Sequence, residues 1–234
     1  MLSKNDIKYI NSLKIKKYRT KYSHFTAEGV KIIKELIEQG LEVVNMYALS
    51  ADLLQDERCT IVSEQDLDKI TALKNHHGCF AVFKIPQHSL EIGDNEWILM
   101  LDDIQDPGNM GTIIRTCDWF GVQKIICSDG CVDAYSPKVV QASMASIGRV
   151  QVFETDLNTI LSNYKLPVYG AVLNGKNYYE QDFSQEGFIL IGNEGHGIHT
   201  DLQQKITFPI TIPKKGKTES LNAAIATALI LDKI

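Results

Sequence analysis

Three short segments, far apart in the chain, mix glycines with polar side chains that a packed core would reject. They are residues 106–115 (DPGNMGTIIR), 192–198 (GNEGHGI) and 212–222 (IPKKGKTESLN). In the first, Pro107-Gly108 forces a turn, and Asn109 or Thr112 can cap the helix that follows. Arg115 then falls one to two turns into that helix, near its positive end, where a guanidinium beside free amides suits an anion such as a phosphate. The plainer alternative is a surface pair of Arg115 with Asp118 at helical spacing.

The second segment invites a dinucleotide-binding reading and fails it, because its glycines do not fall as GxGxxG. Three glycines around Glu194 predict instead a tight backbone that a ligand approaches closely, with Glu194 orienting Arg115 or binding a ligand hydroxyl. His196, a lone loop histidine, is set aside as a general base. In the third segment Thr218 or Ser220 is a natural helix cap. Asn222 is harder to dismiss, since a poor helix former here opens a small apolar helix over 223–230.

Hydrophobic periodicity shows the elements that must hold these segments. From residue 97, apolar runs (97–101, 124–127, 150–153, 168–173, 188–191, 206–210) alternate with helical stretches (109–120, 137–147, 157–163), and an Ala-rich helix ends the chain over 221–234. That alternation predicts an α/β fold with a mostly parallel sheet. Ligands on such sheets bind beyond the carboxyl ends of the strands, which is where all three polar segments fall. The first part reads as α-rich, with helices over 6–13, 28–39 and 67–73 (the last opened from Ser63) and short strands over 42–49, 60–62 and 80–83. A polar stretch broken by Pro and Gly, 86–95 (PQHSLEIGDN), separates a domain over 1–90 from one over 91–234.

The 234 residues are 44% hydrophobic and 23% charged, ordinary for a globular protein, and no apolar run approaches the roughly 20 residues that span a membrane. The first residues show no signal-peptide core. Cys59, Cys79, Cys117, Cys127 and Cys131 form no CxxC pair and no cluster with histidine, which predicts free thiols, a cytoplasmic protein and no structural metal. The net charge of −5 is segregated: residues 1–34 hold nine Lys or Arg against two acids, +7, and leave −12 for the rest. A basic element carrying Lys16, Lys17, Arg19 and Lys21 on an acidic body reads as a phosphate-contacting footprint or as a solvated helix face, which charge alone does not separate.

Taken in order, Asn109-x-Gly111-x3-Arg115, Gly192-Asn193-Glu194-Gly195-x-Gly197 and Glu219-Ser220-Leu221-Asn222 closely resemble the three motifs of the SpoU (TrmH-like) branch of the SPOUT RNA methyltransferases. Residues 17–19 (KYR) and 25–29 (FTAEG) are similar to that family's substrate-binding domain. The resemblance implies a C-terminal α/β-knot, a trefoil-knotted, mostly parallel sheet flanked by helices, preceded by a smaller α+β substrate-binding domain and usually dimeric. Periodicity alone would argue against a knot. The implied reaction moves a methyl group from S-adenosylmethionine to a ribose 2′-hydroxyl of structured RNA, ribosomal RNA being favoured over transfer RNA.

By the same resemblance, backbone around Gly192, Ile212 and Leu221 holds the cofactor, Arg115 is the catalytic position, and Asn109, Glu194, Ser220 and Asn222 position Arg115 and the nucleotide. A guanidinium is almost never neutral in a protein. Arg115 is therefore expected to bind the phosphate beside the target ribose and stabilise developing alkoxide charge, with the proton shared by phosphate or water. Three other readings remain: a transfer RNA methyltransferase, a knotted RNA-binding protein without chemistry, and a base methyltransferase of the same superfamily. The intact polar set argues against the second, and the different motifs of base-modifying members against the third.

Overall fold

The computed structural model describes residues 2–234, which form two compact units, one of residues 2–87 with 133–149 and the other of residues 88–132 with 150–234. The first unit opens with α1 (Lys4–Ser12), α2 (Lys16–Tyr22), β1 (His24–Glu28), α3 (Val30–Glu38), β2 (Val43–Ala48), α4 (Ala51–Leu54), β3 (Thr60–Ile61), α5 (Glu64–Asp68) and β4 (Cys79–Lys84). Its sheet runs β1-β4-β2-β3, with β4 antiparallel to both neighbours. Phe25 faces Phe83 across the β1–β4 pair with their rings stacked at 5.6 Å. Helix α3 buries Ile32, Ile33 and Leu36, the spacing of one helix face.

Three expectations change in this unit. The helix predicted over 67–73 lies earlier, at Glu64–Asp68, because Ser63 caps it directly, its hydroxyl accepting from Asp66 N at 3.2 Å. The helix predicted from residue 28 begins at Val30, because Glu28 is the buried end of β1, where its carboxylate accepts from Thr71 Oγ1 at 2.5 Å and Ala72 N at 2.7 Å. Arg19 is not a phosphate contact. Its side chain is 4% exposed, its Nε and Nη2 donate to Asp133 at 2.8 and 2.6 Å, and its Nη1 donates to the Leu13 carbonyl at 2.7 Å. The charge counted toward a basic surface is neutralised inside the unit, whereas Lys16, Lys17 and Lys21 lie exposed on α2. Asp133→Ala, which strands that guanidinium, is expected to lower stability by about 3 kcal/mol, read from the midpoint of urea unfolding. A midpoint unmoved relative to the native chain would show that the pair contributes nothing.

The second unit holds β5 (Ile98–Leu101), α6 (Pro107–Phe120) and β6 (Lys124–Cys127). After α7 (Pro137–Ser143), which groups with the first unit, it resumes with β7 (Gln151–Glu154), α8 (Leu157–Asn163), β8 (Val168–Asn177), β9 (Phe188–Ile191), α9 (Thr200–Gln203), β10 (Phe208–Thr211) and α10 (Ala223–Leu231). Its six strands run β10-β8-β9-β5-β6-β7, and every neighbouring pair is parallel, as the alternation of strands and helices predicted. All residues of β5 and β9 are buried, which is what the centre of a parallel sheet covered on both faces requires. Leu101 pairs with Ile191, so the segments following β5 and β9 leave the sheet at one edge, and parallel β10 sends the third segment out the same way.

The single helix predicted over 137–147 is broken. α7 ends at Ser143, a 3₁₀ turn covers Ser146–Gly148, and Met144 and Ala145 between them take positive φ of 50° and 70°. Among the described residues no helix is long and apolar enough to cross a membrane. All five cysteines are free.

Candidate active site

Local capping chemistry sets the two helices of the site. Helix α6 starts at Pro107, two residues before the predicted start, because Asp106 is its cap: the Asp106 carboxylate accepts from Asn109 N at 2.8 Å and proline fills the first helical position. Neither Asn109 nor Thr112 caps, so the Asn109 side chain is released for other work. Arg115 becomes the ninth residue of α6, roughly 12 Å from its start and beyond the reach of the helix-end field that was expected to act there. Helix α10 is capped by Asn222, whose Oδ1 accepts from Ala224 N at 3.0 Å and Ile225 N at 3.3 Å, not by Thr218 or Ser220.

The same two asparagines tie the three segments together. Asn222 Nδ2 donates to Asn109 Oδ1 at 2.8 Å, and Asn109 Nδ2 donates to Glu194 Oε1. Each end of the Asn109 amide is thus used, and one hydrogen-bonded chain crosses from the third segment through the first to the second. Of the two roles expected of Glu194, orienting Arg115 or binding a ligand hydroxyl, the fold shows no bond to Arg115: Glu194 accepts from Asn109 and lines the cavity described below. Arg115 is exposed and makes no ion pair or hydrogen bond among the described residues, so the pairing with Asp118 that helical spacing allows does not form. Ser220 is also exposed at the cavity described below.

Residues 192–198 close into a small ring. Asn193 and Gly197 exchange backbone hydrogen bonds (3.2 and 2.9 Å), and Gly197 takes φ of 74°. A Cβ on Gly192 would lie 2.4 Å from the Gly197 carbonyl carbon and from Ile198 N, which explains the glycine at that position. The ring is fastened to the end of β5 by groups that motif reading missed. Asn193 Nδ2 donates to the Asp103 carbonyl at 2.8 Å, His196 Nε2 lies 2.8 Å from Asp103 Oδ2, and His199 donates from its backbone to Asp102 at 2.8 Å with Nδ1 2.9 Å from the same oxygen. The signal was two acids directly after an apolar strand, the first of them, Asp102, only 2% exposed.

The hydrogen bond to Asp102, and then that residue's charge, raise the His199 imidazole above its usual range; burial opposes this slightly, while Asp103 and Asp201 add to it. A raised folded value means that the contribution is complete below the ordinary imidazole value of about 6.5 and disappears as pH rises through the higher folded value. His199→Asn is therefore expected to melt lower than the native chain by on the order of 2 °C at pH 6, with the gap closing toward pH 9. Melting curves of both proteins across that range check it, and a gap independent of pH contradicts it.

A cavity of about 1160 Å³ lies within the second unit, between the ring and the third segment. Gly192, Glu194, Ile212, Ser220 and Leu221 line it, so the three residues expected to hold the cofactor converge there. Asn109, Arg115 and Asn222 lie outside that lining. The volume is ample for a nucleoside-sized ligand, for which pockets run roughly 300–1,000 Å³. Leu221 is 44% exposed although it is a large apolar side chain, which gives an adenosyl group a surface to cover beside the backbone amides of the ring. The donor set fits S-adenosylmethionine.

A family profile described as the SpoU rRNA Methylase family matches residues 96–232, and one described as an MRM3-like substrate binding domain matches residues 4–81. The chain is 30% identical to the 23S rRNA (guanosine(2553)-2′-O)-methyltransferase RlmP of Bacillus subtilis, over 96% of this chain and 94% of that protein. A TrmH-family structure from Porphyromonas gingivalis superposes with a TM-score of 0.89 at 35% identity, covering 100% of this chain and 98% of the other. The AdoMet-bound rRNA methyltransferase of Sinorhizobium meliloti superposes with a TM-score of 0.89 at 26% identity, covering 100% and 95%. Similarity at these levels spans both units and all three segments, and the chain belongs to the SpoU family of S-adenosylmethionine-dependent RNA 2′-O-methyltransferases.

Proposed function

We propose that this protein methylates a ribose 2′-hydroxyl of ribosomal RNA, with residues 91–234 performing the transfer and residues 1–90 binding the RNA. The observation that carries the reading is the chain Asn222–Asn109–Glu194, which joins all three segments beside one cavity and leaves Arg115 uncommitted. Relatives named as rRNA methyltransferases, RlmP among them, support ribosomal over transfer RNA.

S-Adenosylmethionine, when bound, supplies a methyl group already activated on sulfur. The ring at Gly192 and the apolar faces of Ile212 and Leu221 would hold it in the cavity. Asn109, locked at both ends of its amide, keeps the three segments in register, so that the residues lining the cavity and Arg115 are held in fixed relative positions. Arg115, exposed and unpaired, grips the phosphate beside the target ribose and stabilises negative charge on the 2′-oxygen as its proton leaves to phosphate or water. Ser220 hydrogen-bonds the nucleotide. Lys16, Lys17 and Lys21 on α2 contact RNA phosphates.

Three further properties belong to the same reading. The C-terminal segment after β10 threads a trefoil knot, consistent with a third segment that returns from the β10 edge to bond Asn109. The protein is a homodimer through the second unit: α6 and α10 pack together and carry Trp119, 84% exposed, and Ile225, 50% exposed, a costly surface for a monomer. It works in the cytoplasm, where free thiols persist.

The test is direct. The purified protein is incubated with 23S ribosomal RNA and isotopically labelled S-adenosylmethionine, and the RNA is digested to nucleosides for mass analysis. Label in a 2′-O-methyl nucleoside is the expected result; label on a base, or none, overturns the reading.

A further inference from the structure

We propose that Lys214, Lys215 and Lys217 form a clamp for RNA phosphates at the cavity mouth, gripping the strand that carries the target ribose. The inference rests on the RNA methylation reading above and deepens it.

The second unit is acidic, with 17 Asp or Glu against nine Lys or Arg, yet three of those nine fall within residues 214–217. All three are exposed, and none makes an ion pair or hydrogen bond among the described residues. Two other lysines of the unit are engaged: Lys124 meets Glu96 at 2.8 Å, and Lys205 donates to the Asn158 carbonyl at 2.8 Å. The nearby acids do not neutralise the cluster. Glu194 is bonded by Asn109, and Glu219, exposed in the same segment, pairs with none of the three. Like charges crowded into four residues repel one another, so the fold gains nothing from them, and an external anion is the partner that would balance them.

Position decides which anion. Lys214 and Lys215 line the same cavity as Gly192 and Ser220, and the segment that bears them is tethered through Asn222 to Asn109, on the helix that carries Arg115. Gly216, between the lysines, has nothing within 4 Å of where a Cβ would stand, so backbone there is open to close approach. One cofactor carboxylate needs one cation; three cations strung along an exposed segment match a polyanion whose phosphates repeat. Lysine, a flexible point charge, suits phosphates that need not be read for sequence.

The experiment uses the full chain with all three lysines changed to Gln, and a second variant with all three changed to Arg. Binding of a 23S ribosomal RNA fragment is measured without cofactor across a salt series. The Gln variant is expected to bind at least about tenfold more weakly at low salt and to lose about 2 from the slope of log K against log salt, at about 0.7 per single-strand phosphate. The Arg variant is expected to keep the native slope. An unchanged slope in the Gln variant overturns the clamp. Cofactor affinity, measured without RNA, separates the two anions: a loss there as large as the RNA loss gives the lysines to the cofactor carboxylate and also overturns it. Native protein that binds RNA with the full slope but transfers no methyl sinks the functional reading and leaves the clamp standing.

Discussion

Arg115→Ala is expected to cut methyl transfer to RNA by at least about 100-fold, the scale on which removing one group that stabilises developing charge slows a reaction, while melting temperature and cofactor affinity stay near those of the native chain. The contrast follows from where the side chain sits. Arg115 is exposed in the second half of α6 and makes no ion pair or hydrogen bond among the described residues, so its removal takes nothing from the fold, where exposed substitutions stay within about 0.5 kcal/mol. It also lies outside the cavity lining, so the cofactor loses no contact. Arg115→Lys keeps the charge and loses the planar fork, and recovers only part of the rate. Labelled methyl transfer, melting and calorimetric cofactor binding on the same preparations check all three statements. Undiminished transfer by the Ala protein removes Arg115 from the reaction.

Gly192→Ala has the second large effect, by a different route. Its Cβ would lie 2.4 Å from the backbone of Gly197 and Ile198, atoms that cannot yield as the end of a flexible side chain can. The ring must open. Its fastenings to Asp102 and Asp103 resist, and the strain is of the order of 1–3 kcal/mol or more. Cofactor affinity is expected to fall at least about tenfold, since 1.4 kcal/mol is a factor of ten, and transfer falls with it. Gly216→Ala is the matched control, because a Cβ there meets nothing within 4 Å. Equal cofactor affinity in the two variants would show that the tight ring is unnecessary for binding.

Much of the site was legible in the sequence because its parts are local. Turn and strand chemistry acts over a few residues, and the strands over 124–127 and 188–191 formed with the bounds that their apolar runs indicate. The glycines of 192–197 signalled a tight backbone, and Asn222, anomalous at the head of a small apolar helix, is the residue that caps it. Even the near misses were local: Asp106, one residue before the proline, competed with Asn109 for the cap and won.

What only the tertiary structure decided is which distant groups meet. The Arg19–Asp133 pair spans 114 residues, the Asn222–Asn109 bond 113, the Asp102–His199 bond 97 and the Asn109–Glu194 bond 85. No periodicity encodes such a pairing, because a side chain's charge or amide says that it needs a partner without saying where the sheet will bring one. Composition counted Arg19 as surface charge, yet it is buried against the half-buried carboxylate of Asp133, which turned it into an internal tie. Spacing suggested that Asp118 would hold Arg115, and in the fold it does not. The sequence by itself determined the residue types of the site, the parallel sheet and the edge from which the three segments emerge, since these follow from local propensity and alternation. The folded chain decided that Asn109 is the junction of those segments and that Arg115 stands free for substrate, since both depend on strand order and on the competition between partners brought within hydrogen-bonding distance.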